Sequence, residues 1–394
     1  MFSPFETATT HHFARPAPPS RAGQTLISKQ NFDDAEREIT GWEGYTETPL
    51  VQLAGLAGAL GIGSIHYKHE GPRFGLGSFK ALGGSYATLR LLQRELSASL
   101  GQEVSLSSIR NGGHKEAASR FTIISATDGN HGRSVAWGAA RCGAHCRIYI
   151  HAEVSENRAT ALSNLGAEVI RVDGDYDATV AQTKADAEDH GWLIVSDTSW
   201  PGYSAPPLDV MAGYGVMARE VVRKLAEPPT HIFLQGGVGG LAAAVAAVLR
   251  QEWGDRAPRV VIVEPDLAPC LFASAQAGAA TAVQIEEETI MAGLSCGEPS
   301  QIAWPILDDE AEDFITIPED IVAPAVRILA RPPFGDQAIE AGESAVAGLC
   351  ALLCAARQDG LREKLGLDSQ SSVVLIGSEG VTDQAIYDQI LAAS

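Results

Sequence analysis

Lys80 stands in the segment Ser78-Phe79-Lys80-Ala81-Leu82-Gly83-Gly84, behind the glycine-rich approach Gly71-Pro72-Arg73-Phe74-Gly75-Leu76-Gly77. If Ser78 caps a helix beginning near Phe79, Lys80 falls in its first turn. The helix macrodipole disfavours a cation there, a setting that tunes an amine for Schiff-base chemistry. A plain surface charge is the commoner role of lysine, but the neighbours Phe79, Ala81 and Leu82 are apolar and argue against it here.

A second segment, Thr127-Asp128-Gly129-Asn130-His131-Gly132, follows the apolar run FTIISA. Asp128 has the chemistry of a base, and Asn130 that of a hydrogen-bond donor to a ring substituent. His131 reads either as catalytic or as an imidazole bonded to backbone. The plainer reading of the whole segment is an Asx turn with a helix cap.

A third, Gln235-Gly236-Gly237-Val238-Gly239-Gly240-Leu241, follows HIFL and opens LAAAVAAVLR. Four glycines at a helix N-terminus make an anion cradle suited to a phosphate, against the alternative of a tight turn with no ligand. Gly237-x-Gly239-x-x-Ala242 also fits a dinucleotide fingerprint, with Glu264 closing the next strand where a ribose-binding acid belongs. On this segment alone a nicotinamide dehydrogenase competes.

Strands must present these turns. β-branched runs predict strands at Ser64–Lys68, Phe121–Ala126, Cys146–His151, Glu168–Val172, Trp192–Ser196, Thr230–Leu234, Val260–Val263, Phe314–Ile317 and Val373–Ile376. Between many of them lie helical patterns at Ser155–Leu165, Tyr176–Asp189, Val210–Leu225, Leu241–Gln251, Ile321–Ala330 and Glu343–Arg357. The alternation predicts an α/β chain of βαβ units with largely parallel sheets, and HIFLQ and RVVIVE fit strands covered on both faces. Residues 1–40, with Pro16, Pro18 and Pro19, read as an N-terminal arm, and the polar stretch 95–120 as an inserted excursion. The chain is expected to cross between lobes after Tyr86 and again within Trp200–Asp209.

The chain has 394 residues, 29 Lys+Arg against 49 Asp+Glu, a formal net charge of −20, and 45% apolar residues. That apolar content excludes a disordered chain. No apolar run reaches the roughly 18–20 residues of a membrane span. The acidity and the lack of a basic stripe exclude nucleic acid as a partner. No signal-peptide core opens the chain, so the expected location is the cytoplasm, with the six cysteines as thiols. Cys142/Cys146 and Cys350/Cys354 are spaced i, i+4, as on one helix face. With His145 the first pair resembles half a metal site, but a second half is missing, so buried thiols and no metal are expected.

SFKALGG, ATDGNHG and GGVGG, in this order, resemble the tryptophan-synthase-β-like (fold type II) pyridoxal-phosphate enzymes, over roughly residues 45–385. RFGLGSFKALGGSYA, TDGNHGRSVAWGA, SDTSWPGY, IVEPD, IMAGLSCGEPS and GSEGVTD narrow the resemblance to the diaminopropionate ammonia-lyase subfamily, in which the acids at Asp128 and Asp197 are kept. The resemblance implies two open, twisted, mostly parallel sheets flanked by helices, with the cofactor between the domains. It implies a large domain from 41–85 and 205–394 and a small one from 86–204. It implies a homodimer that takes an amino-acid substrate and needs no membrane.

Carried over by position, the resemblance gives Lys80 the Schiff base with pyridoxal 5'-phosphate and Asn130 the pyridoxal 3-oxygen. Gly236, Gly237, Val238, Gly239 and Gly240 hold the phosphate through their N–H groups, and Ser378 faces the pyridine nitrogen. Ser78, Thr127 and Gly129 become candidates for the substrate carboxylate, and Asp128 and Asp197 for bases on opposite faces of the α-carbon. A helix-cap role for Asp197 stays open beside this. The implied reaction is α,β-elimination of ammonia from 2,3-diaminopropionate. Two departures from the subfamily pattern stand out: Gly77-Ser78 where Asn-Ala is expected, and Val381 where an Asp is expected. The first is the dehydratase form and keeps a serine, threonine or 3-hydroxyaspartate dehydratase as the alternative.

Overall fold

The computed structural model describes residues 1–16, 26–127, 129–174 and 176–393. Among them the strands are β1 (His11–Ala14), β2 (Leu50–Gln52), β3 (Ser64–His69), β4 (Thr122–Ala126), β5 (His145–His151), β6 (Glu168–Val172), β7 (Leu193–Ile194), β8 (His231–Gln235), β9 (Arg259–Pro265), β10 (Asp313–Ile317) and β11 (Ser372–Gly377). The chain divides into two compact units. One comprises Met1–Lys29, Thr46–Phe79 and Met217–Ser394; the other comprises Gln30–Tyr45 and Lys80–Val216.

The first unit is built on a seven-stranded sheet in the order β1-β10-β9-β8-β11-β3-β2. Its five inner strands run parallel, while β1 and β2 add antiparallel edges, with His11 opposite Thr316 and Val51 opposite Tyr67. Every residue of β8 is buried, as an inner parallel strand with both faces covered requires. Much of that cover comes from the helix Ala347–Arg357, buried from Ala347 through Ala355. A Cβ on Gly348 would lie 3.2 Å from the Phe233 side chain, a tight contact that glycine avoids where this helix meets β8. Cys350 and Cys354 sit on this helix as expected. Residues expected to form an arm supply the edge strand β1, and Phe5 is fully buried.

This unit also buries four charges. Arg73 donates from Nε to Glu70 Oε2 at 2.8 Å and from Nη2 to Glu70 Oε1 at 2.8 Å. It donates from Nη1 to Glu220 Oε1 at 2.8 Å and from Nη2 to Glu220 Oε2 at 2.7 Å. Lys68 donates to the same Glu220 Oε2 that accepts from Arg73 Nη2, and to Thr48 O at 2.8 Å. The two cations and two carboxylates balance, which is what makes their burial tolerable. The same contacts pin the turn through Phe74, whose φ of 51° no other described non-glycine residue approaches. That turn leads directly to Ser78, Phe79 and Lys80.

The second unit carries a parallel four-stranded sheet in the order β6-β5-β4-β7. The helix Lys80–Leu100 packs on the helix Asn130–Cys142 through Gly84 and Gly138. An added Cβ would meet Ser134 Oγ at 2.8 Å from the first and Ser85 Cα at 2.8 Å from the second. Ser134 Oγ accepts from Ser85 N at 2.8 Å, locking the crossing. A Cβ added at Gly83 would lie 2.4 Å from the Tyr214 ring and 2.8 Å from Val210, both on the helix Ala205–Lys224. The glycines of SFKALGG thus act in helix packing.

Two expectations are corrected in this unit. Cys142 and Cys146 do not share a helix face: Gly143, at φ 82°, ends the helix, and Cys146 belongs to β5. The stretch 95–120 is not a detached excursion. The helix runs on to Leu100, Val104 and Ile109 are buried, and Arg110 donates to Glu38 Oε1 at 2.9 Å. Among the described residues no helix is long and apolar enough to cross a membrane, and no cluster of His, Cys, Asp or Glu has the makings of a metal site.

Candidate active site

Lys80 is the first residue of its helix, and its ammonium donates to Asp197 Oδ2 at 2.5 Å. Both side chains are 22% exposed, so the pair is reachable from solvent. Asp197 stands just past β7, eight residues before the next helix begins, so its carboxylate is an ion-pair partner and not a cap for that helix. Burial pushes the Asp197 carboxyl up. The Lys80 charge, then His131 and the hydrogen bond from Lys80, outweigh it and hold the carboxyl well below the usual range.

His131 is the buried neighbour of this pair. Its Nε2 donates to Val195 O at 3.0 Å, and its Nδ1 lies 3.9 Å from Asp197 Oδ2. Ser125 Oγ donates to the same Val195 carbonyl at 2.8 Å, fixing the end of β7 beside β4. Burial lowers the pKa of His131, so the ring is neutral. The backbone-bonded reading of His131 therefore holds, and the ring also faces the acid. Its place in the TDGNHG segment was the only signal in the sequence for this.

Thr127 and Gly129 lie beyond the carboxyl end of β4, with Gly129 N donating to Thr127 Oγ1 at 3.4 Å, and Asn130 opens the following helix. Asp128, the expected base, lies outside the described residues. The second unit thus brings Lys80 and Asp197 together. It sets Thr127, Gly129 and Asn130 where a parallel strand meets a helix N-terminus, the usual place for ligand groups in such sheets.

In the first unit Gly236–Gly240 links β8 to the helix Gly240–Trp253. Gly239 sits at φ 95°, a left-handed conformation that favours glycine. A Cβ on Gly236 would lie 2.6 Å from Glu264 Cγ, so a side chain there would push the turn outward. The Gly236 N–H is already given to Val263 O at 2.7 Å, which corrects one expectation: the cradle of donors starts at Gly237. From there the chain turns into the helix, whose first N–H groups have no carbonyl partner four residues earlier. This fits a phosphate.

Glu264 is taken up elsewhere. Its carboxylate accepts from Leu271 N at 2.9 Å and Phe272 N at 2.7 Å, capping the helix Cys270–Ala277. Burial still pushes its carboxyl up to about 8. A carboxylate so engaged is not offered to a ribose, and the dehydrogenase reading loses its acid.

Ser378, at the end of β11, is buried, and its carbonyl accepts from Phe79 N at 2.9 Å. Glu379 pairs with Ser78, and Gly380 N donates to Gly77 O at 2.9 Å. The segment that delivers Lys80 is thus stitched to the segment that carries Ser378. Ser78, 1% exposed, serves this pairing, and the helix it was expected to cap begins two residues later. Sequence reasoning missed Gln235, whose Nε2 donates to Ile376 O at 2.5 Å and reaches Ser378 Oγ at 3.4 Å. A buried amide one residue ahead of a glycine turn was the available signal.

A profile of the pyridoxal-phosphate dependent enzymes matches residues 42–379. The diaminopropionate ammonia-lyase of Escherichia coli (strain K12) is 38% identical over 354 residues, covering 88% of this chain and 88% of its own. That of Salmonella typhimurium (strain LT2) is 38% identical over 357 residues, with the same coverage. The crystal structure of the Escherichia coli enzyme in complex with D-serine superposes with a TM-score of 0.89 at 35% identity, covering 98% of this chain and 97% of that one.

Proposed function

We propose the function from one premise: the chain belongs to the pyridoxal-phosphate dependent enzymes, within the diaminopropionate ammonia-lyase family. It is a carbon–nitrogen lyase that converts 2,3-diaminopropionate and water to pyruvate and two ammonia. The observation that carries this beyond the premise is the Lys80–Asp197 pair, an amine and an anionic acid held together and open to solvent.

Bound pyridoxal phosphate supplies an electron sink for the pair left at the α-carbon when its proton is removed. The chain supplies the rest. Lys80 holds the cofactor aldehyde through its ε-amine. Asn130 donates to the pyridoxal 3-oxygen, the N–H groups from Gly237, Val238, Gly239 and Gly240 hold the phosphate, and Gly236 keeps the turn close to β9. Ser378 presents a neutral hydroxyl to the ring nitrogen. Ser78, Thr127 and Gly129 bind the substrate carboxylate. Asp128, or Lys80 once its amine is released, takes the α-proton, with Asp197 as the base on the other face. The β-nitrogen leaves with its bonding electrons as ammonia, and water completes the release of pyruvate and the second ammonia. The reading includes a homodimer working in the cytoplasm, supported by the family resemblance and by the buried thiols of Cys142, Cys146, Cys350 and Cys354.

Steady-state pyruvate formation tests this. The expected order is a higher kcat/KM for 2,3-diaminopropionate than for D- or L-serine, threonine or 3-hydroxyaspartate. A hydroxy amino acid turned over faster would overturn it in favour of the dehydratase that Gly77-Ser78 favours.

A further inference from the structure

Gln235 ends β8 and Ser378 follows the neighbouring strand β11, so both stand at the carboxyl edge of the seven-stranded sheet. Both are buried. Four acceptors converge on one nitrogen of the Gln235 amide: Ile376 O at 2.5 Å, Ser344 O at 3.3 Å, Ala345 O at 3.4 Å and Ser378 Oγ at 3.4 Å. Three of them are carbonyls, which only accept, so the nitrogen and not the oxygen of the amide faces them. The segment that carries two of these carbonyls is itself tied down. Tyr67 Oη donates to Ala345 O at 3.2 Å, and Gly293 N donates to Ser344 Oγ at 3.2 Å. Gln235 Oε1 is buried without a partner among the described residues. A buried acceptor in that state costs stability, and it marks the amide as placed for its nitrogen.

An amide nitrogen donates and has no lone pair to accept with. At the 3.4 Å contact the Ser378 hydroxyl is therefore the acceptor, and its own proton points elsewhere. The carbonyls of Ile376, Ser344 and Ala345 already face the amide. Tyr67, on the other side of β11, gives its proton to Ala345 O and packs against the backbone just ahead of Ser378: a Cβ on Gly377 would fall 2.1 Å from its ring. A serine hydroxyl can donate or accept, and here its surroundings leave it the donor's part.

We infer that Gln235 is a positioning residue that sets the Ser378 hydroxyl as a hydrogen-bond donor, so that the ring nitrogen of bound pyridoxal phosphate accepts from Ser378 and carries no proton of its own. The inference rests on the proposed function for the place of Ser378 against the ring. It adds the direction of that hydrogen bond and the residue that decides it. A donor fixed at the ring nitrogen stabilises the electron density drawn there when the α-proton leaves, with no reorganisation at that moment. Without the amide, the carbonyls of Ile376, Ser344 and Ala345 lose a donor, and the Ser378 proton turns to them.

The test uses the protein loaded with pyridoxal phosphate that carries ¹⁵N in its ring. Accepting a hydrogen bond moves a neutral pyridine nitrogen resonance upfield, and protonation moves it much further. The expected wild-type signal lies upfield of that in Ser378→Ala and well short of the protonated position. In Gln235→Met, which keeps the length of the side chain and loses the donor, the signal should move downfield to the Ser378→Ala position. Gln235→Asn, a methylene shorter and drawn back from Ser378, should do the same, and it carries the test if the Met variant does not fold. The resonance of bound cofactor does not depend on how much is bound. A Gln235 that only supports the sheet would therefore lower affinity and leave the signal at the wild-type position. That result would overturn the inference, as would a wild-type signal at the protonated position or equal to that of Ser378→Ala; pyruvate formed from 2,3-diaminopropionate by the same protein would leave the proposed function standing. A wild type that shows no ring signal distinct from free cofactor would remove the proposed function and the inference with it.

Discussion

Replacing Arg73 by Met removes one cation from a buried set of four charges. Arg73 is 1% exposed and makes four charge-assisted bonds of 2.7–2.8 Å to Glu70 and Glu220. Without it, two buried carboxylates face Lys68 alone, and the set goes from neutral to one net negative charge. Breaking a buried pair by deleting one partner costs about 3–5 kcal/mol. Set against a total stability of about 5–15 kcal/mol, that is a large fraction. The loss has a pH signature. In the wild type, burial pushes the Glu220 carboxyl up, but the hydrogen bond and charge of Arg73, with Lys68, bring it below the ordinary range. A depressed carboxyl contributes stability above its unfolded pKa of about 4.3, and that stability is lost as pH falls through the folded value. In Arg73→Met the burial remains while the lowering cause is gone, so Glu220 takes a proton more easily. The stability gap between wild type and variant should therefore be widest at pH 7–8 and close as pH falls toward 5. Urea unfolding followed by circular dichroism at pH 5 and pH 8 measures it, and Arg73→Lys, which keeps the charge but loses the fork, should show a smaller gap. A gap below 1 kcal/mol at pH 8, or one equal at both pH values, would refute the reasoning.

Gly236→Ala should lower pyridoxal phosphate affinity about tenfold or more. Its Cβ would fall 2.6 Å from Glu264 Cγ and 3.0 Å from Leu271 Cδ1, and relieving an overpacked site costs about 1–3 kcal/mol. Fluorescence titration of the apoprotein checks this, and an unchanged Kd contradicts it. Burial pushes the thiols of Cys142, Cys146 and Cys354 up to about 12, so iodoacetamide at pH 8 should leave them unmodified in the native protein and label them in urea. Prompt native labelling, read by peptide mass spectrometry, would show that these sites are open.

The sheet interiors were legible because an inner parallel strand is a short run of buried β-branched residues with no competing interpretation. HIFLQ and RVVIVE fold as β8 and β9, within two residues of expectation. The edges were not. β1 is HHFA, a half-exposed antiparallel edge with two histidines, and β2 is three residues long. Neither pattern stands out from loop. Cys142/Cys146 misled because spacing alone does not reveal that Gly143 turns left-handed between them. The polar composition of 95–120 hid Val104 and Ile109, which are buried by tertiary contacts that no local window contains. At the site, the motif order named Lys80, Asn130 and the glycine turn. The Lys80–Asp197 pair joins residues 117 apart in sequence, and only the resemblance marked that acid. The engagement of Gly236 N–H with Val263, of Glu264 with a helix end and of Gln235 with Ser378 are through-space facts that sequence order does not carry.

Borohydride reduction of the protein purified with pyridoxal phosphate, followed by peptide mass spectrometry, bears most directly on the claim that Lys80 carries the cofactor. The expected result is loss of the yellow colour and a pyridoxyl group on the peptide containing Lys80, absent from Lys80→Ala. A pyridoxyl group on another lysine, or none on any, would contradict it.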